Sequence, residues 1–202
     1  MQDNGPYVYI ATGSEVKLAR MIAEARCDLK LAHNVRSKKY SIDKSETDIH
    51  ILGILGEFAV STCLGIPLKM PITIGGDDGF DMISREIGRI SVKTRSRANY
   101  DFALTKAESE KHWDIGILVC PKGVEIRPPY DFVALRLVGW IGKEDFQRRA
   151  TSRDYGYGVR LAVGNRALSP MVDIKHRTSA CSVRSLIDLH GLGSAFREIT
   201  NG

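Results

Sequence analysis

Along the first third of the chain, apolar positions recur at helical spacing. Residues 14–34, SEVKLARMIAEARCDLKLAHN, carry Val16, Leu18, Ala19, Met21, Ile22 and Ala25 on a repeating stripe. That spacing predicts an amphipathic helix, with Ser14 as its N-cap. A second helix is predicted from Ser45, whose hydroxyl suits an N-cap, through ETDIHILGILGEFAVSTCLG to Gly65 as the C-terminal stop. Its face of Ile51, Leu55, Phe58, Ala59 and Thr62 is expected to lie on a sheet. The period then drops to two. GFDMIS (79–84), GRISVKT (88–94) and YDFAL (100–104) read as strands, TKAESEKH (105–112) as a short charged helix, and DIGILVC (114–120) as a buried strand. YDFVALRLVGWI (130–141) is rich in β-branched and aromatic residues and reads as a strand. KEDFQRRA (143–150) suits one or two helical turns, YGVRLAV (157–163) a further strand and SVRSLIDLHG (182–191) a terminal helix.

The order α, β-β-β, α-β, with helices before and between the strands of a single sheet, sets the class as α/β or α+β. The Pro/Gly clusters GIPLKMPITIGG (65–76) and RPPY (127–130) read as loops rather than linkers. Residues 1–202 are therefore expected to form one domain, with a core at about 46–140, an N-terminal helical extension over 1–45 and a C-terminal extension over 141–202.

Composition narrows the class further. Of the 202 residues, 43% are hydrophobic and 26% charged, which is the range of globular proteins. No apolar run approaches the roughly 20 residues that span a bilayer. The N-terminus, MQDNGPYVYIATG, lacks a basic segment leading into an apolar one, so no secretory signal is expected and a cytoplasmic location is. Cys27, Cys63, Cys120 and Cys181 show no zinc-ligand spacing and are expected as reduced thiols. A net charge of +5 is compatible with a polyanionic partner but does not single one out.

The chemistry concentrates in GGDDGFDMISREIGRISVKT (75–94), which holds four acidic residues and a lysine around a short turn. Alternation puts Phe80 and Met82 on one face and Asp81 and Ile83 on the other, while Ser91 and Lys93 share a face. A turn centred on Glu86, with Gly88 at positive φ, sets Asp81 across from Ser91. Asp81, Ser91 and Lys93 then converge on one side. An ordinary cross-strand ion pair between Asp81 and Lys93 is the structural alternative. Asp77 and Asp78 read as solvated turn residues. Glu57 sits on a small-residue, apolar helix that must pack close to the sheet, where a carboxylate calls for a cation partner.

A helix glutamate in GILGEF, an aspartate on one strand and a Val-Lys step on the next resemble the PD-(D/E)XK nuclease superfamily, which has a restriction-endonuclease-like fold. The pattern is similar to phage-type and mobile-element members with a GxxGE helix and a GxDGxD strand. The resemblance covers roughly residues 46–119 and extends more loosely to VGWI, EDF and ALSPM. It implies a central mixed sheet flanked by helices in the order αβββαβ. It also implies Mg²⁺- or Mn²⁺-dependent hydrolysis of DNA phosphodiesters, with RNA left open and a homodimer as one arrangement. Carried over, Asp81 is the central metal ligand, Glu57 a second or water-mediated one, the Val92 carbonyl a third, and Lys93 the group that positions the attacking water. Arg89, Arg95 and Arg97, with Asn99, are candidates for the nucleic-acid backbone. Their alternative is a solvated basic edge strand. His50, two helical turns before Glu57, is a candidate for the cleft lining.

The sequence departs from the family at two places. Phe80 replaces the proline, and Ser91 stands where a second carboxylate is expected. Some restriction endonucleases of the superfamily carry Ser-x-Lys with a glutamate from the following helix, and Glu108 lies on the next predicted helix here, with Glu110 a lesser candidate. Pairing of Glu108 with Lys111 or Lys106 on its own helix is the alternative. Besides an endonuclease, two functions stay open: a catalytically silent nucleic-acid-binding module on the same fold, and a protein-interaction or inhibitor role.

Overall fold

The computed structural model describes residues 7–34, 45–68, 79–123, 125–130, 133–156 and 158–178. Asp77, Asp78, Cys181 and the helix expected over 182–191 lie outside them. The class is mixed α/β, as expected, and rests on a five-stranded mixed sheet. Strands β1 (Val8–Ala11), β2 (Met82–Ser84), β3 (Gly88–Thr94), β5 (Ile115–Pro121) and β6 (Val133–Gly142) run in the order β1-β6-β5-β3-β2. The β3–β5 pair is parallel and the others are antiparallel.

The expected single sheet is not what forms. The YDFAL strand, β4 (Phe102–Leu104), leaves the main sheet and pairs with β8 (Val159–Val163). With β7 (Thr151–Asp154) these make a second, three-stranded sheet in the order β4-β8-β7. The cause lies in the connection: parallel strands need a long crossover. Here residues 95–114 cross from β3 to β5 and carry β4 and helix α3 (Lys106–Glu110) over one face of the main sheet.

On the opposite face lie α1 (Gly13–Ala32) and α2 (Glu46–Leu64). Both start with a reciprocal capping box, Ser45 with Asp48 on α2 as expected, and Thr12 with Glu15 on α1. Thr12 thus displaces Ser14 as the cap, because only a residue three before Glu15 can complete that exchange. Helix α2 ends on Gly65 in the left-handed region at φ 67°. Ile51, Leu55, Phe58 and Ala59 are buried as expected, whereas Thr62 is exposed and lies off the packed face.

The expectation that no segment suits a bilayer needs correcting for α2. Its apolar and small residues give a mean hydropathy of 1.3, and by length and composition it could cross a membrane, although half of that stretch is buried in the protein. Residues 7–32 are integral to the core rather than appended to it. Strand β1 forms an edge of the main sheet, and Val16, Ala19, Ile22 and Ala23 of α1 are buried.

Two cores result, one on each face, which is why every residue of β5 is buried. Ile117 and Val119 point toward α1 and α2, with Ile90, Val92 and Met82. Leu118 and Cys120 point toward the crossover, where Phe102, Trp113 and Phe146 stack edge-to-face and tilted, with ring centroids 5.6–6.2 Å apart. Phe146 belongs to α4 (Lys143–Arg149), and α5 (Met171–Thr178) adds Met171 and Ile174 to the first core.

Candidate functional site

The hairpin register is the one the sequence suggested. Met82 faces Ile90 and Ser84 faces Gly88, which takes φ 84°. One step beyond the ladder Asp81 comes opposite Ser91. The Asp81 N–H donates to the Ile90 carbonyl at 2.8 Å, and its carboxylate accepts the Val92 N–H at 2.6 Å. In an extended strand the N–H and C=O of one residue point the same way. The Val92 carbonyl is therefore directed to the same edge of β3, beyond the end of the short β2.

Alternation then assigns the faces. Gly56 of α2 meets Thr94 so closely that a Cβ on it would lie 1.7 Å from Thr94 Oγ1, so Ile90, Val92 and Thr94 face α2. Asp81, Ser91 and Lys93 face the crossover side. Glu57, 9% exposed, starts from the α2 side.

Ser91 is 5% exposed and pairs with Gly116 of β5. A Cβ on Gly116 would lie 2.2 Å from the Phe102 ring, so two small neighbours make room for that ring. A carboxylate at position 91 would be held beside the aromatic core, where desolvation is costly.

A further carboxylate reaches this face from α3. Lys93 Nζ donates to Glu108 Oε1 at 3.0 Å, while Glu108 Oε2 accepts the Thr105 N–H at 2.7 Å and the Thr105 hydroxyl at 2.9 Å. Glu108 is thus both the capping-box acid of α3 and the partner of the strand lysine. Its expected alternative partners, Lys106 and Lys111, are replaced by Lys93. Burial alone would push the Glu108 carboxyl up, but the Lys93 ammonium and the Thr105 hydrogen bonds outweigh it and hold it at about 2. Arg160 Nη1, on β8, lies 3.4 Å from Glu108 Oε2 with only 11% of its side chain exposed.

The three arginines singled out in the sequence all have protein partners. Arg89 forms a two-pronged pair with Asp114 at 2.9 and 2.9 Å, and its backbone N–H adds a third bond at 2.8 Å. These bonds hold the Asp114 carboxyl at about 2. Arg95 donates to the Ala103 carbonyl at 2.5 Å, and Arg97 pairs with Glu125 at 3.4 Å and lies over the Tyr100 ring. Arg95, Tyr100, Asp101, Tyr155 and Arg160 line a small depression beside the Lys93–Glu108 pair. His50 turns to α1 instead of the cleft, with Nε2 3.1 Å from Lys30 Nζ.

Arg160 and Asp101 are the residues that sequence reasoning missed. Asp101 pairs with Arg153 and accepts from the Tyr155 hydroxyl at 3.3 Å. Only the pairing of β4 with β8, across more than 50 residues, brings them to the site. Comparison of the chain with protein-family models, with curated proteins and with solved structures finds no match.

Proposed function

We propose that the protein is a metal-dependent endonuclease acting on DNA through a PD-(D/E)XK-like site on a restriction-endonuclease-like core. The observation that carries this reading is the 3.0 Å contact of Lys93 with Glu108, on the sheet face that Asp81 shares with Ser91. Glu108 brings a carboxylate to the side of β3 where the serine removes one. The succession α2, β2, β3, α3, β5, with β3 and β5 parallel, supports the fold assignment.

The donor set suits a hard divalent cation such as Mg²⁺. It offers the Asp81 carboxylate and the Val92 carbonyl at the β3 edge, and Glu108 would join them on release from Lys93 and Thr105. Bound there, the ion would supply positive charge and a water of lowered pKa. The residues do the remaining work. Asp81 keeps its orientation through the Val92 N–H. Lys93 Nζ donates a hydrogen bond that orients the attacking water and offsets charge growing on the phosphate. Arg160 and Arg95 attract the neighbouring phosphates, in keeping with a net charge of +5.

Nicking of supercoiled plasmid in Mg²⁺ or Mn²⁺ tests the proposal. Asp81→Asn and Lys93→Met should each slow it by about 100-fold or more, and Glu108→Gln by at least about tenfold. Equal nicking by the Asp81 and Lys93 variants would sink the reading.

A second reading is favoured by the full engagement of Glu108, whose two oxygens are both hydrogen-bonded. In it the site is silent and the fold binds nucleic acid. Salt-sensitive DNA binding with neither cleavage nor metal dependence selects that alternative.

A further inference from the structure

Away from the hairpin, the contact between α1 and α2 gathers a different donor set. Cys27 Sγ, Glu46 Oε1 or Oε2 and His50 Nε2 or Nδ1 lie within 4.8 Å of one another. Glu46 and His50 stand at i and i+4 on α2, which sets both on one helix face. Cys27 comes from α1, whose packing on α2 fixes the third donor. All three are partly buried, close enough to the surface for an ion to enter.

The donors already converge on a cation. The Lys30 ammonium sits between two of them, 2.8 Å from Glu46 Oε1 and 3.1 Å from His50 Nε2. To accept from an ammonium, Nε2 must present its lone pair, which is the form of imidazole that binds metals. Cys27 Sγ lies 3.6 Å from the Thr47 hydroxyl, at the margin of the same cluster. Lys30 hangs on a flexible four-carbon stem with 29% of its side chain exposed, so its head can move to water without disturbing either helix.

We propose that Cys27, Glu46 and His50 form a binding site for a zinc-class divalent cation, distinct from the Asp81–Lys93 site. Thiolate and imidazole select a borderline-soft ion over Mg²⁺, and three protein ligands leave a fourth tetrahedral position to water. On binding, the Cys27 thiol loses its proton to solvent, sulfur and nitrogen lone pairs and a carboxylate oxygen coordinate the ion, and Lys30 swings out still protonated. The charge of the ion is then balanced by thiolate and carboxylate. The bound ion ties α1 to α2 at the end where the chain passes between them.

Titration of the full-length chain with Co²⁺, followed by Zn²⁺ competition, tests this. A thiolate-to-cobalt absorption band with tetrahedral ligand-field bands should appear and be displaced by Zn²⁺ but not by Mg²⁺. Cys27→Ser should abolish the charge-transfer band, and His50→Gln should weaken binding by at least about tenfold. Lys30→Met should tighten it by about the same factor, because the competing cation is gone. Circular dichroism checks that each variant is folded. No band from the folded wild type, a band that survives Cys27→Ser, or unchanged affinity in both His50→Gln and Lys30→Met overturns the site.

Discussion

At the scale of single residues, Glu108 has the most to say about pH. Its carboxyl is held at about 2 in the folded protein against an ordinary 4.5. A depressed folded pKa stabilises above the unfolded value and loses that contribution as pH falls. The contribution is therefore full above about pH 4.5 and disappears toward pH 2. Because 34% of the Glu108 side chain is exposed, screening reduces the contribution to on the order of 1–2 kcal/mol. Glu108→Gln should cost about that much at pH 7 and almost nothing near pH 2, read as the urea midpoint across the range. A constant difference at all pH values would show that packing, not charge, holds Glu108 in place.

Ser91 offers a test of the opposite kind. With Phe102 crowding its cross-strand neighbour Gly116, Ser91→Ala should leave stability within about 0.5 kcal/mol. Ser91→Asp should lower it by about 1–3 kcal/mol, since it buries a carboxylate beside the aromatic cluster. The serine is accounted for by the architecture around it as much as by any loss of chemistry.

At the scale of elements, the tightest junction is α2 on β3. Gly56→Ala would set a methyl 1.7 Å from Thr94 Oγ1 and 2.9 Å from Thr94 Cβ, so helix and strand must part. We expect a loss of about 2–3 kcal/mol by chemical unfolding, with partial recovery in the Gly56→Ala/Thr94→Ala double variant. Full additivity of the two substitutions would mean that the helix does not rest on that side chain.

The same scale shows what a reader of the sequence can and cannot find. The capped ends of α2, the hairpin register and the positive φ of Gly88 were legible because each is set by neighbours a few residues apart. Glu108 could be named as a candidate because its helix is the next one after the lysine strand, within the same crossover. Strand β7 was not legible because TSRD is exposed throughout, with no buried face to mark it. The departure of β4 to a second sheet, and with it the arrival of Arg160, depends on a partner strand far along the chain. No local period records that.

At the scale of the whole molecule, the second sheet brings Arg160 of β8 beside the Lys93–Glu108 pair. If the face around Lys93 takes a nucleic-acid backbone, Arg160→Met should weaken DNA binding and reduce the slope of log affinity against log salt by about one. Fluorescence anisotropy at several salt concentrations measures both. An unchanged slope would remove Arg160 from the interface.

Glu108 closes its helix and holds the strand lysine with one carboxylate, and its own carbonyl accepts the Trp113 indole N–H at 3.2 Å. An acid borne on a strand is fixed by the sheet; one borne on a helix of five residues travels with that helix. If a metal binds as proposed and draws this carboxylate away, the Thr105 bonds break, and order in the first turn of α3 and occupancy of the proposed site become two readings of a single equilibrium. Amide exchange in that turn would report on ligand binding even when no bond is cut.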